Sequence, residues 1–536
     1  MILKRPSLYF LYPKIRLDEL LELAASRLPE KPFVVHPQKI TLKEMDETVT
    51  RVANGLRNLG VKKGDKITIF SPNSPEYEMV VLGISRCGGI VVPVNPTLKK
   101  DELNYILNDS EAIAVFTVSS LVETTREAAK GTQIKWICTM DTRIDNLYYI
   151  KDFLKYEPEK FDPKIDPEKD LVSLNYTSGT TGPPKGVMLN HTGRVVNGIQ
   201  GAIAYDISDR DVVMFILPMY HIYGFGFMLT QCLVAGASHV ILSAFKPQEF
   251  IELTEKYRVS VIYAVPVMLS AIKAYLEKSE RTYDWSALRM VFTGAAPLAP
   301  ALAEDFVRVA KQKCNSEFIV THGYGLTEVG PWIAGSPLYR VKDVASPGVP
   351  VYDCEFKVVD VENGKILGPN EIGELIVKSP TMMQGYWKRD ADEGFIEIDG
   401  KKYVKTGDLG YLDEEGYIYV VDRIKEIIKY KGYTVAPFEI EAALMKHEVV
   451  TDVAVIGVPD EVVGEIPKAF VVIKKEYVGK ITEEDLLNWI KNKIADYKMP
   501  RMIEFIDSIP RTASGKVLRR VLRDREIQKS KHKRES

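Results

Sequence analysis

Tyr176-Thr177-Ser178-Gly179-Thr180-Thr181-Gly182-Pro183-Pro184-Lys185-Gly186 sets four small hydroxyl side chains, three glycines and a lysine behind an apolar run. That run, Leu171 to Tyr176, is predicted to be a short buried strand by its Val, Leu and Tyr content. Phosphate oxygens need donors at close range. Glycine lets backbone N–H groups approach, Ser and Thr add rotatable donors, and Lys185 adds a point charge. A polyphosphate fits this chemistry, whereas a Walker A loop does not. That pattern needs Gly-Lys-[Ser/Thr] opening a helix, and here Lys185 stands between Pro184 and Gly186. The two prolines also withhold two donors. Val187-Met188-Leu189 predicts a second strand, so the expected local fold is strand, loop, strand. The plain alternative is an exposed turn with no ligand.

At 536 residues the chain is too long for one core, so two or more domains are expected. A hydrophobic share of 46% and a net charge of -2 give no bias toward nucleic acid or a charged membrane surface. The cysteines (Cys87, Cys138, Cys232, Cys314, Cys354) lie too far apart for a CxxC metal or redox pattern and read as reduced core residues. The apolar stretch Leu8 to Tyr12 ends at Pro13 and Lys14, too short for a signal peptide, so a cytoplasmic protein is expected. From Val212 to Leu242 there is no Asp, Glu, Lys or Arg. By length this segment would span a bilayer, but Pro218, His221, Gly224, Gly226, Gly236 and His239 break a continuous helix, and a buried interior segment is expected.

Helical spacing predicts helices over Leu17 to Leu28, Lys43 to Leu59, Glu76 to Cys87 and Lys100 to Leu107, with strands at Lys66 to Phe70 and Ile90 to Val94. The alternation continues past the loop. His191 to Ala204 reads as a helix, Val259 to Val265 as a strand, Val267 to Leu276 as a helix and Met290 to Thr293 as a strand turning at Gly294-Ala295-Ala296-Pro297. Phe318 to Thr321 is a strand that ends in Gly323-Tyr324-Gly325-Leu326-Thr327-Glu328. Short strands finishing in small-residue loops are where open parallel sheets bind ligands. The fold class is therefore α/β, a large N-terminal domain of layered sheets over residues 1–422, with a small antiparallel, barrel-like β part at about 345–421. A small α+β domain over 426–536 follows. The tail from Arg519, with eight Lys and Arg against three Asp and Glu, reads as a solvated helix end.

Taken singly, the later motifs are turns, caps or surface lysines. In this order and spacing, with the hydroxyl-rich loop, they are similar across essentially the whole chain to the adenylate-forming (ANL) superfamily, in its acyl-CoA synthetase or fatty-acid–CoA ligase branch. The resemblance implies ATP, Mg²⁺ and coenzyme A as cofactors or co-substrates. Thr177, Ser178, Gly179, Thr180, Thr181, Gly182 and Lys185 would hold the β- and γ-phosphates, with Tyr324 against adenine and the Gly294-Ala295-Ala296 backbone opposite. It also implies Thr327 at the α-phosphate, Glu328 holding the metal, and Asp408 and Arg423 on the ribose. Lys516 resembles the mobile lysine of the first half-reaction. A cation bridging carboxylate and α-phosphate would recover about 4 kcal/mol at roughly 4 Å and an effective dielectric near 20, or about three powers of ten in rate.

The resemblance implies a hinge at 423–425, with Lys425 at it, about which the domain over 426–536 moves; Lys431 and Gly432 resemble part of the face along which the CoA thiol approaches, and Lys429 a lysine near the substrate. His221 corresponds to a residue that borders the acyl carboxylate and gates the thiol channel, with a hydrogen-bonded core histidine as the alternative; His191 and His322 read as structural. The expected acyl pocket draws on Tyr220, Tyr223, Phe225, Phe227 and Met228, beside Gly294 and Gly325, with Gly224 and Gly226 leaving depth for a fatty acid. Two features depart from the plant aryl-CoA ligases, namely Thr434 in place of Gln and the absence of a cysteine-bearing box at Glu374-Leu375-Ile376.

The expected activity is an AMP-forming acid–CoA ligase acting on small molecules (a carboxylic acid, ATP and CoA), with no nucleic acid, no transmembrane segment and a homodimer left open. Within the family the alternatives are delivery to a carrier-protein thiol, an aryl-acid–CoA ligase and a luciferase-like oxidase. From another class come a nucleotide-binding sensor and a phosphotransferase.

Overall fold

The structure, a computed structural model, describes residues 11–177, 183–338, 341–343, 346–431, 433–460, 462–491, 493–511 and 517–535. The chain divides into two compact units. One holds the chain up to Glu355 together with Val377–Val404, and the other holds Phe356–Ile376 with Lys405–Ser536. The antiparallel β part expected at about 345–421 is shared between them.

In the larger unit, Ile90–Val94 and Ala112–Thr117 are buried along their whole length. Runs that are apolar on both faces belong in a parallel sheet covered on both sides. They sit in a seven-stranded sheet ordered Tyr148–Tyr149, Trp136–Thr139, Ala112–Thr117, Lys66–Phe70, Ile90–Val94, Leu171–Tyr176, Gly186–Asn190. Every pairing is parallel except the last, where Gly186–Asn190 returns antiparallel on Leu171–Tyr176. A nine-stranded sheet carries Met290–Thr293 and Ile319–Gly325 side by side, in parallel register from Met290↔Ile319 to Thr293↔His322.

Helix ends follow local chemistry. Leu42–Asn58 opens on a capping box, with Glu44 N–H donating to Thr41 Oγ1 at 3.2 Å and Thr41 N–H to Glu44 Oε2 at 2.8 Å. Pro75–Cys87 is capped by Ser74 and stopped by Gly88 at φ 84°. These two helices meet closely at Gly83, where a Cβ would lie 2.6 Å from Val52 Cγ1. At the end of the second helix Arg86, 2% exposed, donates to Thr50 Oγ1 at 2.6 Å and Asp46 Oδ1 at 2.7 Å, and pairs with Asp18 at 3.3 Å. Burial alone would raise the Asp18 carboxyl, but Arg16 and Arg86 hold it below its usual range.

The charge-free segment is a buried interior one, as expected. It forms strand Val212–Phe215, a π-helical turn Tyr223–Leu229, helix Thr230–Ala235 and strand Ser238–Ile241. No described helix is long and apolar enough to cross a membrane. The expectation that Gly224 and Gly226 leave depth for a substrate is overturned. A Cβ on Gly224 would lie 2.3 Å from the Pro218 carbonyl oxygen, and one on Gly226 2.6 Å from Ile222 Cδ1. The missing side chains are already replaced by backbone and neighbouring groups, which lets the widened turn pack back on itself.

In the smaller unit, the strand through Leu412 pairs with Ile418–Arg423 in a hairpin tipped by Asp413-Glu414-Glu415-Gly416, with Gly416 at φ 80°. A second sheet is ordered Tyr433–Val435, Ile428–Tyr430, Gly464–Ile473, Val450–Asp460, and Met502–Phe505 lies parallel to Gly464–Ile473. Ile440 and Leu444 of helix Pro437–Leu444 and Leu486 and Ile490 of helix Glu483–Ile490 cover one face; Leu522 of helix Arg519–Glu535 packs with Ala454, Ile456 and Phe470 on the other. The basic tail is more than a solvated end. Arg519 pairs with Glu441, Arg523 with Glu426, and Arg525 and Lys529 with Glu504.

Arg86→Ala should lower the unfolding free energy of the larger unit by about 3–5 kcal/mol in denaturant titration, because Asp18 and Asp46 lose a buried partner. That contribution should be present at neutral pH and fade as pH falls through the depressed Asp18 value; a loss below about 1 kcal/mol would show that the network does not hold these helices. Gly224→Ala should cost about 1–3 kcal/mol by overpacking, whereas a neutral effect would mean that the turn has open space after all.

Candidate active site

The hairpin that carries the hydroxyl-rich loop closes tightly. Tyr176 is in register with Gly186, and Thr177 N–H donates to the Lys185 carbonyl at 3.0 Å. Ser178, Gly179, Thr180, Thr181 and Gly182 lie outside the described residues. The stem is fastened from two sides. Tyr176 Oη donates to Asp109 Oδ2 at 2.6 Å, and Tyr105 Oη donates to the Pro184 carbonyl at 3.1 Å. On the other side Gln384-Gly385-Tyr386-Trp387 runs beside Gly186–Asn190, with Trp387 N–H on the Gly186 carbonyl at 2.8 Å and Gln384 N–H on Met188 O at 2.9 Å. This segment also engages Lys185. Its Nζ lies 2.5 Å from Glu393 Oε1 and 5.1 Å from the centre of the Tyr386 ring.

Strand Met290–Thr293 delivers Gly294-Ala295-Ala296, with Ala295 in the left-handed region at φ 65°. Beside it, Ile319–Gly325 delivers Tyr324 and Gly325, then a short turn Thr327–Val329. At the second strand end Gly323 and Gly325 have no room for a side chain, whereas a Cβ on Gly294 would be in ordinary contact 3.4 Å from the Gly323 carbonyl. A Cβ on Gly323 would meet Phe292 Cζ at 2.3 Å, and one on Gly325 would overlap the Pro331 carbonyl. Glu328 Oε1 accepts a 2.9 Å hydrogen bond from Tyr386 Oη, and the Glu328 carbonyl accepts Met383 N–H at 2.8 Å. Burial, then the nearby Glu328 carboxylate, pushes the Tyr386 phenol well up, so it remains a donor. Lys185 and Glu328, distant in sequence, therefore meet the same tyrosine.

Arg194 is fully buried. It donates to the Gly330 carbonyl and, at 3.3 Å, to that of Thr381, whose hydroxyl in turn donates to Val329 O. Burial draws this guanidinium down to about 9. It fixes the turn that follows Thr327 and Glu328. Sequence reading missed Arg194, Thr381, Tyr386 and Glu393. A charged residue inside the apolar stretch of helix His191–Ala204 and the Gly385-Tyr386-Trp387 cluster were the signals available.

His221 Nδ1 accepts the Tyr223 N–H at 3.2 Å, which in the neutral ring places the proton on Nε2. Tyr220 is half-buried, with its phenol pushed up to about 12 by burial, while Tyr223 and Phe225 are buried in the core. His191 accepts Leu17 N–H at 3.2 Å, and His322 lies 3.0 Å from Thr293 Oγ1. Burial brings both imidazoles down to about 4, so they are neutral at neutral pH and serve packing.

The remaining candidates lie in the other compact unit. Asp408, 3% exposed, pairs with Arg423 across the hairpin at 2.9 Å. Lys425 lies in the turn Ile424–Glu426, Lys429 on strand Ile428–Tyr430, and Lys431 at φ 51° just beyond it. Gly432 and Lys516 fall outside the described residues. Among the described residues no three His, Cys, Asp or Glu side chains converge as a metal site.

Comparison with known proteins places this geometry. The family model described as AMP-binding enzyme matches residues 21–387, and the AMP-binding enzyme C-terminal domain matches 439–516. The chain is 36% identical to 4-coumarate–CoA ligase 1 of Petroselinum crispum over 91% of this chain and 89% of that one. It is 31% identical to the long-chain-fatty-acid–CoA ligase of Bacillus subtilis over 96% and 95%. Among solved structures, a long-chain-fatty-acid–CoA ligase from Archaeoglobus fulgidus matches with TM-score 0.75 at 34% identity, covering 94% of this chain and 100% of that one. ATP-bound MatB from Rhodopseudomonas palustris matches with TM-score 0.84 at 29% identity, covering 95% and 99%. The loop is a strand-to-strand hairpin, the small-residue strand ends stand beside the Thr327-Glu328 turn, and both family models match in sequence order; the chain belongs to the AMP-binding enzyme family, among its AMP-forming acid–CoA ligases.

Proposed function

We propose that the site works in two steps on one carboxylic acid. The carboxylate oxygen attacks the α-phosphorus of ATP, the bond to the β-phosphate oxygen breaks, and pyrophosphate leaves. The CoA sulfur then attacks the acyl carbonyl, and AMP departs with the electron pair of the acyl–oxygen bond. The observation that carries this reading is the Tyr386 junction. It ties Lys185 at the foot of the loop to Glu328 in the turn that ends the second sheet's strand.

In this reading the loop residues Thr177 to Gly182 and Lys185 hold the outer phosphates. Tyr324 and the Gly294-Ala295-Ala296 backbone flank adenine, Thr327 donates to the α-phosphate, and the Asp408–Arg423 pair receives the ribose hydroxyls. Glu328 suits Mg²⁺, since its carboxylate offers a hard oxygen ligand and one of its oxygens is already oriented by a phenol; the ion would neutralise phosphate charge. Lys516 lies between the two anions during adenylation, and Lys425 is the hinge between a domain over residues 1–422 and one over 426–536. His221, with its proton on Nε2, faces the acyl carboxylate. Lys429, Lys431 and Gly432 serve the acid and thiol steps. Five unbridged thiols support a cytoplasmic setting.

Pyrophosphate exchange into ATP should require a carboxylic acid, and the full reaction should release AMP. Release of ADP would identify a phosphotransferase, and no turnover would identify a sensor. Lys516→Ala should lose about three powers of ten in exchange rate while still converting a preformed acyl-adenylate to thioester; an equal loss in both steps would contradict the assignment. Tyr386→Phe should raise the Mg²⁺ concentration needed for half-maximal exchange about threefold to tenfold, because the Glu328 carboxylate loses the hydrogen bond that orients it. An unchanged Mg²⁺ requirement would remove Tyr386 from this role.

A further inference from the structure

Glu393 holds the lysine of the hydroxyl-rich loop from a turn just beyond Trp387. Its Oε1 lies 2.5 Å from Lys185 Nζ, with the carboxylate side chain 34% and the lysine side chain 40% exposed. The turn sets the carboxylate in place. Glu393 N–H donates to the Asp390 carbonyl at 3.1 Å, and Gly394 follows at φ 86°. Lys402 Nζ fastens the same turn through the Ala391 carbonyl and Asp392 Oδ1, both at 3.1 Å.

On the lysine's side the backbone is pinned. The Lys185 carbonyl accepts Thr177 N–H at 3.0 Å, the Pro184 carbonyl accepts Tyr105 Oη at 3.1 Å, and the Gly186 carbonyl accepts Trp387 N–H at 2.8 Å. Any change in where the charge sits is therefore a swing of the four-carbon stem about a stationary Cα. Its direction in the structure is toward Tyr386, 5.1 Å from the centre of the ring, with Glu393 as counter-ion. An ion pair this exposed holds weakly, so an anion of higher charge can take the lysine from it.

We propose that Glu393 is a positioning residue that competes with the outer phosphates for Lys185. ATP takes the lysine from the carboxylate on entry, and the carboxylate takes it back as pyrophosphate leaves. The inference rests on the ligase reading above, in which Lys185 holds the β- and γ-phosphates. Its consequence is selective. ATP and pyrophosphate have to displace Glu393 and bind more weakly for it, whereas AMP carries neither outer phosphate and is indifferent to the pair. Lys185 keeps an anionic partner throughout, and the displaced carboxylate, already in contact with solvent, is received by water.

Equilibrium titration of the full chain with MgATP, magnesium pyrophosphate and AMP tests this. Glu393→Gln, which removes the charge and keeps the size, should tighten both MgATP and pyrophosphate by about twofold to fivefold, the range of an exposed ion pair. Its AMP dissociation constant should stay where it is, which also reports that the site is folded. In Lys185→Ala, which lacks the contested cation, adding Glu393→Gln should change nothing. Four results each overturn the inference and leave the ligase reading intact: unchanged affinity for MgATP and pyrophosphate in Glu393→Gln, weaker affinity for them, an equal gain for AMP, or a gain that persists without Lys185. Lys185→Ala binding MgATP and pyrophosphate as tightly as the unsubstituted chain would remove the lysine from the phosphates and overturn both.

Discussion

A 3.0 Å hydrogen bond from Thr177 N–H to the Lys185 carbonyl closes the mouth of the hydroxyl-rich loop, and the antiparallel return of Gly186–Asn190 makes that closure stable. In a parallel sheet this return is the exception, and it determines what the loop can do. A strand on each side keeps both ends of the loop at a sheet edge; a helix after it would instead have presented an N-terminus there. The segment Gln384 to Trp387 then lines the outer side of the hairpin and brings Tyr386 to both Lys185 and Glu328. Tyr386 thus meets the Lys185 ammonium with its ring face and the Glu328 carboxylate with its hydroxyl, while Lys185 itself bonds Glu393.

Buried charge is treated in two ways in the larger unit. Arg86 is surrounded by carboxylates and ties three helices together, so its charge is balanced locally. Arg194 meets backbone carbonyls at Gly330 and Thr381, and burial lowers its pKa. A guanidinium held by carbonyls alone leaves net positive charge next to the Thr327-Glu328 turn, where the proposed function seats an anionic nucleotide. This offsets part of the desolvation that a polyanion undergoes on entering the site.

Much of the frame was legible in the sequence because it depends on local rules. Strand Leu171–Tyr176 and helix His191–Ala204 stand where composition and periodicity put them. The strand-loop-strand reading followed from Val187-Met188-Leu189, with a lysine out of place for a Walker A loop. What could not be read was tertiary. Nothing local distinguishes a glycine that leaves space from one whose space is taken by a distant carbonyl, and Gly224 is of the second kind. Tyr386 and Glu393 lie about two hundred residues beyond Lys185, and only the strand pairing between Val187 and Tyr386 brings them together. Arg194 stands out as a charge in an apolar helix stretch, but its partners appear only once the turn at Gly330 is folded over it.

The central claim is that the hairpin loop and the Thr327-Glu328 turn together receive the phosphates of one nucleotide. Backbone hydrogen exchange with and without MgATP tests it most directly. Slowed exchange across both 177–186 and 323–330 on nucleotide binding is the predicted result; nucleotide-dependent protection confined to other segments, with these two unchanged, would contradict it.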